Sequence, residues 1–582
     1  MKYFILSFLA IFHFVFLNAQ QFSSHYIEMP DGVKLAADVY LPEGKTAEKL
    51  PTLIMLERYW RSSVSKKDTE STPTLYGRDK LFNDSGYVIM IVDTRGTGAS
   101  FGTRQSEYSP TEVMDAKTVV DWIIAQPWSD GNVGAYGTSY TGTTAELLCA
   151  TKHPAVKAVI PGWSDFDLYR SPARPYGLVA SNFIKKWGFY VRMLDRNRSI
   201  VVGGSIRPVS EDSLKFALKE HKKNMRVYKS VKDGEFRDTD FGSFNYEMCS
   251  PVHWKEEIEA SQVPMLVLTS WMDAGTAEGT LQRLEHFSNP QKVLLMSTSH
   301  GGWSHASPFT VEDSLQYPVP RVEMQNQLQL DFFDQHLKGI DKGVEEWPMV
   351  RYFNMGEEKY HSSDAWPIPG TVETNYFFNA NGGLSTNRPT EMEASDSYKV
   401  DFGVYTSKNN RWTTQMGGPV KNLNNRNEMD ERMLVYTSEP VNDDVQITGT
   451  PVVRLQMSSS HSDGAILVYL EDVDENGKST YITEGGLRLI HRKELAESDS
   501  TFNMHSFNES DAQPMIKGEV TEVAFKIWPT SVLIKKGHSI RIAIAGADKS
   551  IFDKCPKHGK PTYEIMRNIS HASFIELPVV VN

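Results

Sequence analysis

The sequence contains little cysteine: Cys149, Cys249 and Cys555 are the three among 582 residues. An odd and sparse set of this kind does not form a disulfide framework, and no cysteine pair has the short spacing of a zinc site. Basic residues are outnumbered, with 61 Lys and Arg against 73 Asp and Glu and a formal net charge of −12. This balance argues against a nucleic-acid-binding or anionic-membrane surface, because both favour clustered Lys and Arg.

The long hydrophobic runs of membrane proteins are also missing after the N-terminus. Residues 4–17 form one such run, directly after the single early charge of Lys2. The run is shorter than the ~20 residues that span a bilayer, and the small residue Ala19 follows it. These features predict a cleaved signal peptide over residues 1–20 and a secreted or periplasmic protein, with an uncleaved anchor as the alternative. No membrane association is expected after cleavage.

The first 300 residues predict a largely parallel sheet. Apolar residues at helical spacing between 111 and 126 lie among short apolar runs bounded by turn residues, and such alternation is typical of α/β domains. The predicted strands are 51–57, 87–92, 133–136, 264–269 and 292–296. With the candidate site below, they predict an α/β-hydrolase core over residues 21–162 and 251–345.

Two further units are predicted around this core. Residues 163–250 are charged and helix-prone and interrupt the strand pattern, so we expect a helical cap inserted above the sheet, where substrate selectivity is set. Residues 346–582 consist of short alternating runs separated by Gly, Pro, Asn and Asp, as at 465–470 and 539–545. This pattern predicts an all-β jelly-roll domain.

The strongest motif is Gly137-Thr-Ser139-Tyr140-Thr-Gly142, between a predicted strand and a predicted helix. A serine nucleophile on a tight strand-to-helix turn needs small neighbours, because its backbone is strained and its Oγ must project freely. The second glycine comes one residue later than in the usual G-x-S-x-G. The motif predicts Ser139 as a nucleophile, and a serine that only caps the helix is the alternative.

Two later strand ends supply an acid and a base. The strands that end before residue 300 lead to Asp273 and to His300, and α/β-hydrolases take these groups from such loops in the order Ser, Asp, His. A neutral imidazole accepts the serine proton, while a carboxylate fixes its tautomer and stabilises its charged form. We therefore predict a triad of Ser139, His300 and Asp273. His305 is the alternative base, and His300 is preferred because it follows its strand directly.

An oxyanion hole must stabilise the charge on the attacked carbonyl oxygen. Its first donor is expected to be the backbone N–H of Tyr140, directly after the nucleophile. The HGGG-type motif that often supplies the second donor is absent. The strand at 51–57 leads instead to Tyr59, whose phenol is either the second donor or a packed aromatic residue.

Several strings together resemble the cocaine-esterase-like and X-prolyl dipeptidyl-peptidase group of serine hydrolases. A Met-x-Asp-Gly-Val motif opens the resemblance at 29–33, and a D-x-R-G-x-G-x-S-x-G segment follows at 93–102. The serine motif is preceded by Gly-Asn-Val-Gly at 131–134, and the acid loop contains Trp-x-Asp at 271–273. With jelly-roll strings from 438 to 488, the resemblance spans nearly the whole chain after the predicted signal peptide. It implies that the jelly-roll domain is of the galactose-binding type.

This resemblance implies the triad given above, an oxyanion-hole role for Tyr59 and acyl transfer to water. The implied substrates are small esters, small amides or short peptides. The resemblance implies no metal and no organic cofactor. X-prolyl or other dipeptidyl-peptidases and β-lactam acylases are alternatives in the same class, and a carbohydrate-binding protein with an inactive core is an alternative from another class. Related α-amino-acid ester hydrolases bind a substrate ammonium through acidic residues beside the catalytic Asp, and Asp273 has no such neighbour in the sequence.

Overall fold

The computed structural model describes residues 21–45, 48–65, 72–199, 204–310, 317–406, 410–412, 414–416, 423–496 and 504–581. The predicted signal peptide at residues 1–20 lies outside the described residues. Within the ranges above, none of the helices combines the length and the apolar character that a membrane span requires.

Twelve strands are described between residues 21 and 363. They are β1 (Gln21–Glu28), β2 (Lys34–Leu41), β3 (Leu50–Glu57), β4 (Ser63–Val64), β5 (Val88–Asp93), β6 (Ser129–Thr138), β7 (Val156–Gly162), β8 (Ser205–Ile206), β9 (Met265–Ser270), β10 (Gln291–Met296), β11 (Val350–Asn354) and β12 (Lys359–Ser363). Ten of them form one sheet in the order β1-β2-β5-β3-β6-β7-β9-β10-β11-β12, while β4 pairs with β8.

The centre of this sheet is parallel, from β5 through β11, and its edges are antiparallel. Every residue of β5 and of β9 is buried, as expected where helices cover both faces of a parallel sheet. The predicted α/β core is thereby confirmed. Strands β11 and β12 extend this sheet past residue 345, the expected boundary of the core, because Val350 to Tyr352 pair with β10.

Nine α-helices are described in the same part of the chain. They are α1 (Gly77–Asp84), α2 (Pro110–Ile124), α3 (Tyr140–Leu147), α4 (Ser181–Leu194), α5 (Glu211–Glu220), α6 (Val227–Asp233), α7 (Lys255–Ser261), α8 (Thr276–His286) and α9 (Val322–Lys338). The region between β7 and β9 holds α4, α5 and α6, which form the helical insertion that the sequence predicts. Helix α5 begins after Ser210, whose Oγ accepts from the backbone N–H of Ser213, and it buries Leu214 and Ala217.

The C-terminal part is built almost entirely from strands. They are β13 (Thr371–Asn379), β14 (Gly383–Ser385), β15 (Ser395–Lys399), β16 (Leu434–Ser438), β17 (Val445–Gly449), β18 (Val452–Ser459), β19 (Ala465–Val473), β20 (Ser479–Arg488), β21 (Thr521–Lys526), β22 (Thr530–Ile534), β23 (Ser539–Ala545), β24 (Thr562–Met566) and β25 (Phe574–Val580), with one short helix, α10 (Asn427–Asp430). These strands pair into a second sheet, which confirms the predicted all-β domain.

The two sheets are joined directly. Met355, just after β11, donates a backbone hydrogen bond of 3.0 Å to Ser531 and accepts one of 2.9 Å from Leu533 of β22. Arg411 and Thr414 of the C-terminal domain also contact the loop that follows β9. The C-terminal domain therefore contributes to the side of the first sheet where the carboxyl ends of β6, β9 and β10 lie.

Candidate active site

Ser139 lies on a strained turn between β6 and α3. Its backbone has φ 64° and ψ −125°, a combination that non-glycine residues rarely adopt and that persists only where surrounding contacts enforce it. Two backbone hydrogen bonds do so: Ser139 N–H donates to Gly162 O at 2.8 Å, and Ser139 O accepts from Thr143 N–H at 3.0 Å. This is the nucleophile geometry of the strand-turn-helix motif.

The flanking glycines have steric reasons to be glycine. A Cβ on Gly137 would lie 2.2 Å from the carbonyl carbon of Thr141, and a Cβ on Gly142 would lie 2.4 Å from the oxygen of Gly162 in β7. Thr141 stands where the second glycine of G-x-S-x-G usually stands, and its Oγ1 accepts from Thr138 N–H at 2.7 Å. The unusual spacing of the motif therefore fits a turn closed by Thr141.

Asp273 and His300 come together at the ends of β9 and β10. The His300 Nδ1 is 2.7 Å from Asp273 Oδ2, and the Asp273 side chain is fully buried. Burial alone lowers the pKa of the His300 imidazole. The charge of Asp273 and its hydrogen bond, with a smaller contribution from Asp165, outweigh burial and raise the pKa above its ordinary value.

The C-terminal domain also holds the loop of the acid, Asp273. Sequence reasoning missed this contact. Thr414 Oγ1 donates to Asp273 Oδ1 at 3.0 Å. Arg411, fully buried, donates from its guanidinium to the backbone oxygen of Trp271, and its own backbone oxygen accepts from Ala274 N–H at 3.1 Å. No local signal marks residues 411 and 414, because their contacts bridge about 140 residues of chain.

His305 is directed elsewhere. Its Nε2 is 3.3 Å from Glu358 Oε2, and Ser307 Oγ donates to the other oxygen of that carboxylate at 2.5 Å. Of the two candidate bases, the structure pairs His300 with Asp273 and His305 with Glu358.

Ser139 and His300 line one cavity with an empty volume of about 740 Å³. The loop of His300 adjoins the serine turn, since a Cβ on Gly301 would lie 3.4 Å from Thr138 Cγ2. The hydrogen bonds of Ser139 within the described residues all involve its backbone, so its bond to the imidazole is not formed in this structure. Catalytic hydrogen bonds often tighten only when substrate is bound.

Tyr59 lies on the same cavity wall. Its hydroxyl oxygen accepts a hydrogen bond of 3.0 Å from the indole N–H of Trp187 in α4, so the hydroxyl proton stays available to another acceptor. Burial raises the pKa of the phenol, which keeps the group protonated. Sequence reasoning missed Trp187, because nothing local links a tryptophan of the cap to a strand end of the core.

Tyr140 opens α3 beside the serine. Its side chain is buried, with its hydroxyl donating to Glu112 of α2 and its ring stacked on Tyr108 at 4.6 Å. Burial raises the pKa of Glu112 to about 8. These contacts fix the residue whose backbone N–H is the predicted first oxyanion donor.

Asp165 supplies an additional carboxyl group to the cavity wall. Its backbone N–H donates to Thr143 Oγ1 at 3.0 Å, and its backbone oxygen accepts from Arg283 at 3.0 Å. Burial raises the pKa of its side chain to about 7, against the opposing charge of His300. The sequence gives Asp273 no acidic neighbour, but the fold brings this one from the loop after β7.

Comparison with known proteins agrees with this architecture. Residues 31–305 match the family model described as X-Pro dipeptidyl-peptidase (S15 family), and residues 342–572 match the X-Pro dipeptidyl-peptidase C-terminal non-catalytic domain. A Mycobacterium bovis protein named as a serine esterase is 36% identical, over 97% of this chain and 96% of its own length. The cocaine esterase of a Rhodococcus species is 25% identical, over 96% of this chain and 98% of its own length.

A solved structure shares the fold over nearly the whole chain. The aminopeptidase of a marine sediment Thaumarchaeota archaeon superposes with a TM-score of 0.75 at 18% identity, covering 97% of both chains. At this identity the likeness concerns the fold alone. The sequence matches go further, and by them the chain belongs to the X-Pro dipeptidyl-peptidase (S15) family, a family of serine esterases and peptidases, and is a hydrolase.

Proposed function

We propose that the chain hydrolyses an ester or amide bond through an acyl-enzyme on Ser139. The observation that carries this proposal is the 2.7 Å pairing of His300 with a buried Asp273 on the cavity that also contains the strained Ser139. A raised imidazole pKa suits a base that must take up a proton and then release it to a leaving group.

The reaction runs in two stages. The His300 imidazole takes the Ser139 proton as Oγ attacks the substrate carbonyl, and Asp273 stabilises the imidazolium. Tyr59 Oη–H and the Tyr140 N–H donate to the tetrahedral oxyanion. The imidazolium then protonates the leaving group, and a water molecule, activated by the same imidazole, releases the acyl group from the serine.

The cavity favours a small and largely apolar substrate. Its wall includes aromatic and aliphatic side chains from the cap, among them Phe183, Ile184, Trp187 and Val227. Ligand pockets of this size accept drug-sized molecules. An apolar acyl or leaving group would pack against the cap while its carbonyl meets Ser139.

A fluorophosphonate probe tests the nucleophile, since it labels activated serines. Wild-type chain should be labelled and Ser139→Ala should not. Ser299→Ala is a matched control, because Ser299 Oγ already bonds to Ser304 Oγ at 2.9 Å, and it should be labelled like wild type. Equal labelling of wild type and Ser139→Ala would refute the assignment. A panel of p-nitrophenyl esters, aminoacyl p-nitroanilides and acylated β-lactams then identifies the bond.

Asp165 favours a second candidate, an exopeptidase that requires a free substrate amine. Its carboxyl group makes no side-chain hydrogen bond within the described residues and faces the same cavity as Ser139. It would pair with an ammonium near the scissile bond. Asp165→Asn should then slow an aminoacyl p-nitroanilide far more than the same compound without its amine. Equal slowing of both compounds would remove this candidate.

We further propose that the protein is exported, on the strength of the hydrophobic run at residues 4–17. N-terminal sequencing should show that the protein recovered outside the cytoplasm begins near residue 20. Recovery with Met1 from the cytoplasmic fraction would contradict export.

A further inference from the structure

The cap has a charge opposite to that of the whole protein. Residues 181–232 contain thirteen Lys and Arg against four Asp and Glu, in a chain whose formal net charge is −12. Like charges placed close together repel one another and do not stabilise a fold. The whole-chain balance conceals this basic region.

Three arginines of the cap lack counter-ions. Arg192, Arg196 and Arg226 form no ion pair with any described carboxylate, whereas Arg104 binds Asp195, at the end of the same helix α4, at 3.0 Å. The charge of Arg196, then partial burial and the charge of Arg226, lower the pKa of Arg192. The positive charges of Arg196 and Arg226 therefore both act on the guanidinium of Arg192.

Two of these arginines line a groove between α4 and α6. The helices approach closely where α4 has Gly188, since a Cβ there would lie 3.3 Å from Val227 Cβ. The groove has an empty volume of about 680 Å³. Its wall includes Lys185, Phe189, Arg192, Arg226, Tyr228 and Lys229. Asp195 also lines the groove, but its carboxylate is paired with Arg104 and Arg58.

Aromatic surface accompanies the charge. The Phe189 side chain is 57% exposed, and Lys185 Nζ lies 5.2 Å from the centroid of the Tyr228 ring. Lys185 and Lys229 already have carboxylate partners, Asp553 and Asp233. The unsatisfied charge in the groove thus belongs to the two arginines, beside two aromatic rings.

We propose that the groove between α4 and α6 binds a small organic anion, a phosphate, sulfate or carboxylate group on an apolar body. Arg192 and Arg226 pair with the anionic group, since a guanidinium matches the geometry of oxyanions with parallel hydrogen bonds. Phe189 and Tyr228 contact the apolar body. The volume is that of an ordinary small-molecule site.

The groove is separate from the catalytic cavity but adjoins it. Met225 and Val227 line both spaces, while Ser139 and His300 line the cavity alone. Binding in the groove requires no step at Ser139, so the proposal stands or falls independently of the proposed hydrolysis.

Phenyl phosphate is a suitable probe, because it carries an oxyanion on an aromatic ring and has no acyl bond. Isothermal titration calorimetry of the full chain should show one site that binds phenyl phosphate roughly tenfold or more tightly than inorganic phosphate or phenol alone. Arg192→Glu with Arg226→Glu should weaken this binding by about tenfold or more, as loss of charge-assisted hydrogen bonds requires.

Lys215→Glu with Lys219→Glu is the matched control. It makes the same change of charge on α5 of the same cap, outside the groove, and should leave the affinity for phenyl phosphate within about twofold of wild type once salt screens long-range charge. Equal weakening in both double variants, or no binding by wild type, would overturn the proposal.

Vesicles distinguish a free anion from a lipid headgroup as the source of the charge. Wild-type chain is mixed with vesicles of phosphatidylglycerol and phosphatidylcholine, and with phosphatidylcholine alone. Arginine-dependent binding of phenyl phosphate without retention on anionic vesicles supports a free anion. Arginine-dependent binding of both supports a lipid headgroup seated in the groove. Retention on vesicles without binding of phenyl phosphate overturns the groove as a small-molecule site.

Discussion

The indole N–H of Trp187 donates a hydrogen bond of 3.0 Å to the hydroxyl oxygen of Tyr59, and so joins the cap helix α4 to the end of strand β3. The Arg58 guanidinium lies against both rings, 5.8 Å from the centroid of Tyr59 and 5.2 Å from that of Trp187. The cap therefore orients the group proposed to stabilise the oxyanion.

Trp187→Phe removes this bond and keeps an aromatic ring. We expect kcat to fall roughly two- to tenfold, the effect of about 0.5–1.5 kcal/mol for one neutral hydrogen bond, with little change in KM. In a Tyr59→Phe background the same change should have no further effect on kcat. An equal loss in both backgrounds would mean that Trp187 acts through packing alone.

Tyr59→Phe removes the phenol donor itself. Loss of one oxyanion donor lowers kcat by roughly 10²–10³, and KM should change little because the contact forms mainly in the transition state. Tyr190→Phe is the matched control, since its ring stacks on Tyr59 at 6.0 Å outside the cavity wall. A kcat for Tyr59→Phe close to that of Tyr190→Phe would show that the oxyanion has other donors.

Single alanine substitutions distinguish the roles of His300 and His305. His300→Ala should lower kcat on the order of 10⁵–10⁶, as removal of the base does in a comparable triad. His305→Ala removes a partner of Glu358 and should leave kcat within about tenfold of wild type, with its main effect on stability. Steady-state kinetics with a p-nitrophenyl ester measures both. The reverse order of effects would exchange the two roles.

Thr414 tests the contribution of the C-terminal domain to the acid. Thr414→Val removes the hydroxyl that donates to Asp273 Oδ1 at nearly constant volume, and kcat should fall roughly two- to tenfold. Thr414→Ser keeps the hydroxyl and should restore most of kcat. If the serine variant is as slow as the valine variant, the lost methyl packing and not the hydrogen bond is responsible.

Asp165 and Asp273 face His300, and both raise the pKa of its imidazole. The base must be neutral to act, so kcat/KM should fall as pH drops through this raised pKa. Asp165 carries its negative charge above its own raised pKa of about 7. Asp165→Asn removes that charge, which lowers the imidazole pKa and moves the acid limb of kcat/KM to lower pH. A pH-stat assay on an uncharged ester measures the limb. An unmoved limb would show that Asp165 does not act on His300.

The residues proposed for catalysis carry local sequence signals. Ser139 lies within a glycine-flanked turn, and Asp273 and His300 directly follow buried apolar strands. Parallel strands that end at one edge bring such residues together. The position of His300 directly after its strand favours it over His305 as the base, and in the structure His300 pairs with Asp273 while His305 pairs with Glu358.

Other features depend on contacts between distant segments. Trp187, Thr414 and Asp165 reach the site through the cap, the second domain and the loop after β7. None of them has a neighbouring motif, so only the folded chain shows their relation to Ser139. The basic character of the cap is not visible in the overall composition, because a single net charge for the whole sequence averages over its segments.

Because Arg411 and Thr414 contact the loop of Asp273, we expect a chain that ends after the first sheet to lose activity. A fragment that ends after the first sheet would contain Ser139, Asp273 and His300. It would lack Arg411 and Thr414, which contact the loop of the Asp273 carboxylate. The domain that the family model describes as non-catalytic thus contacts the loop of the proposed catalytic acid in this chain.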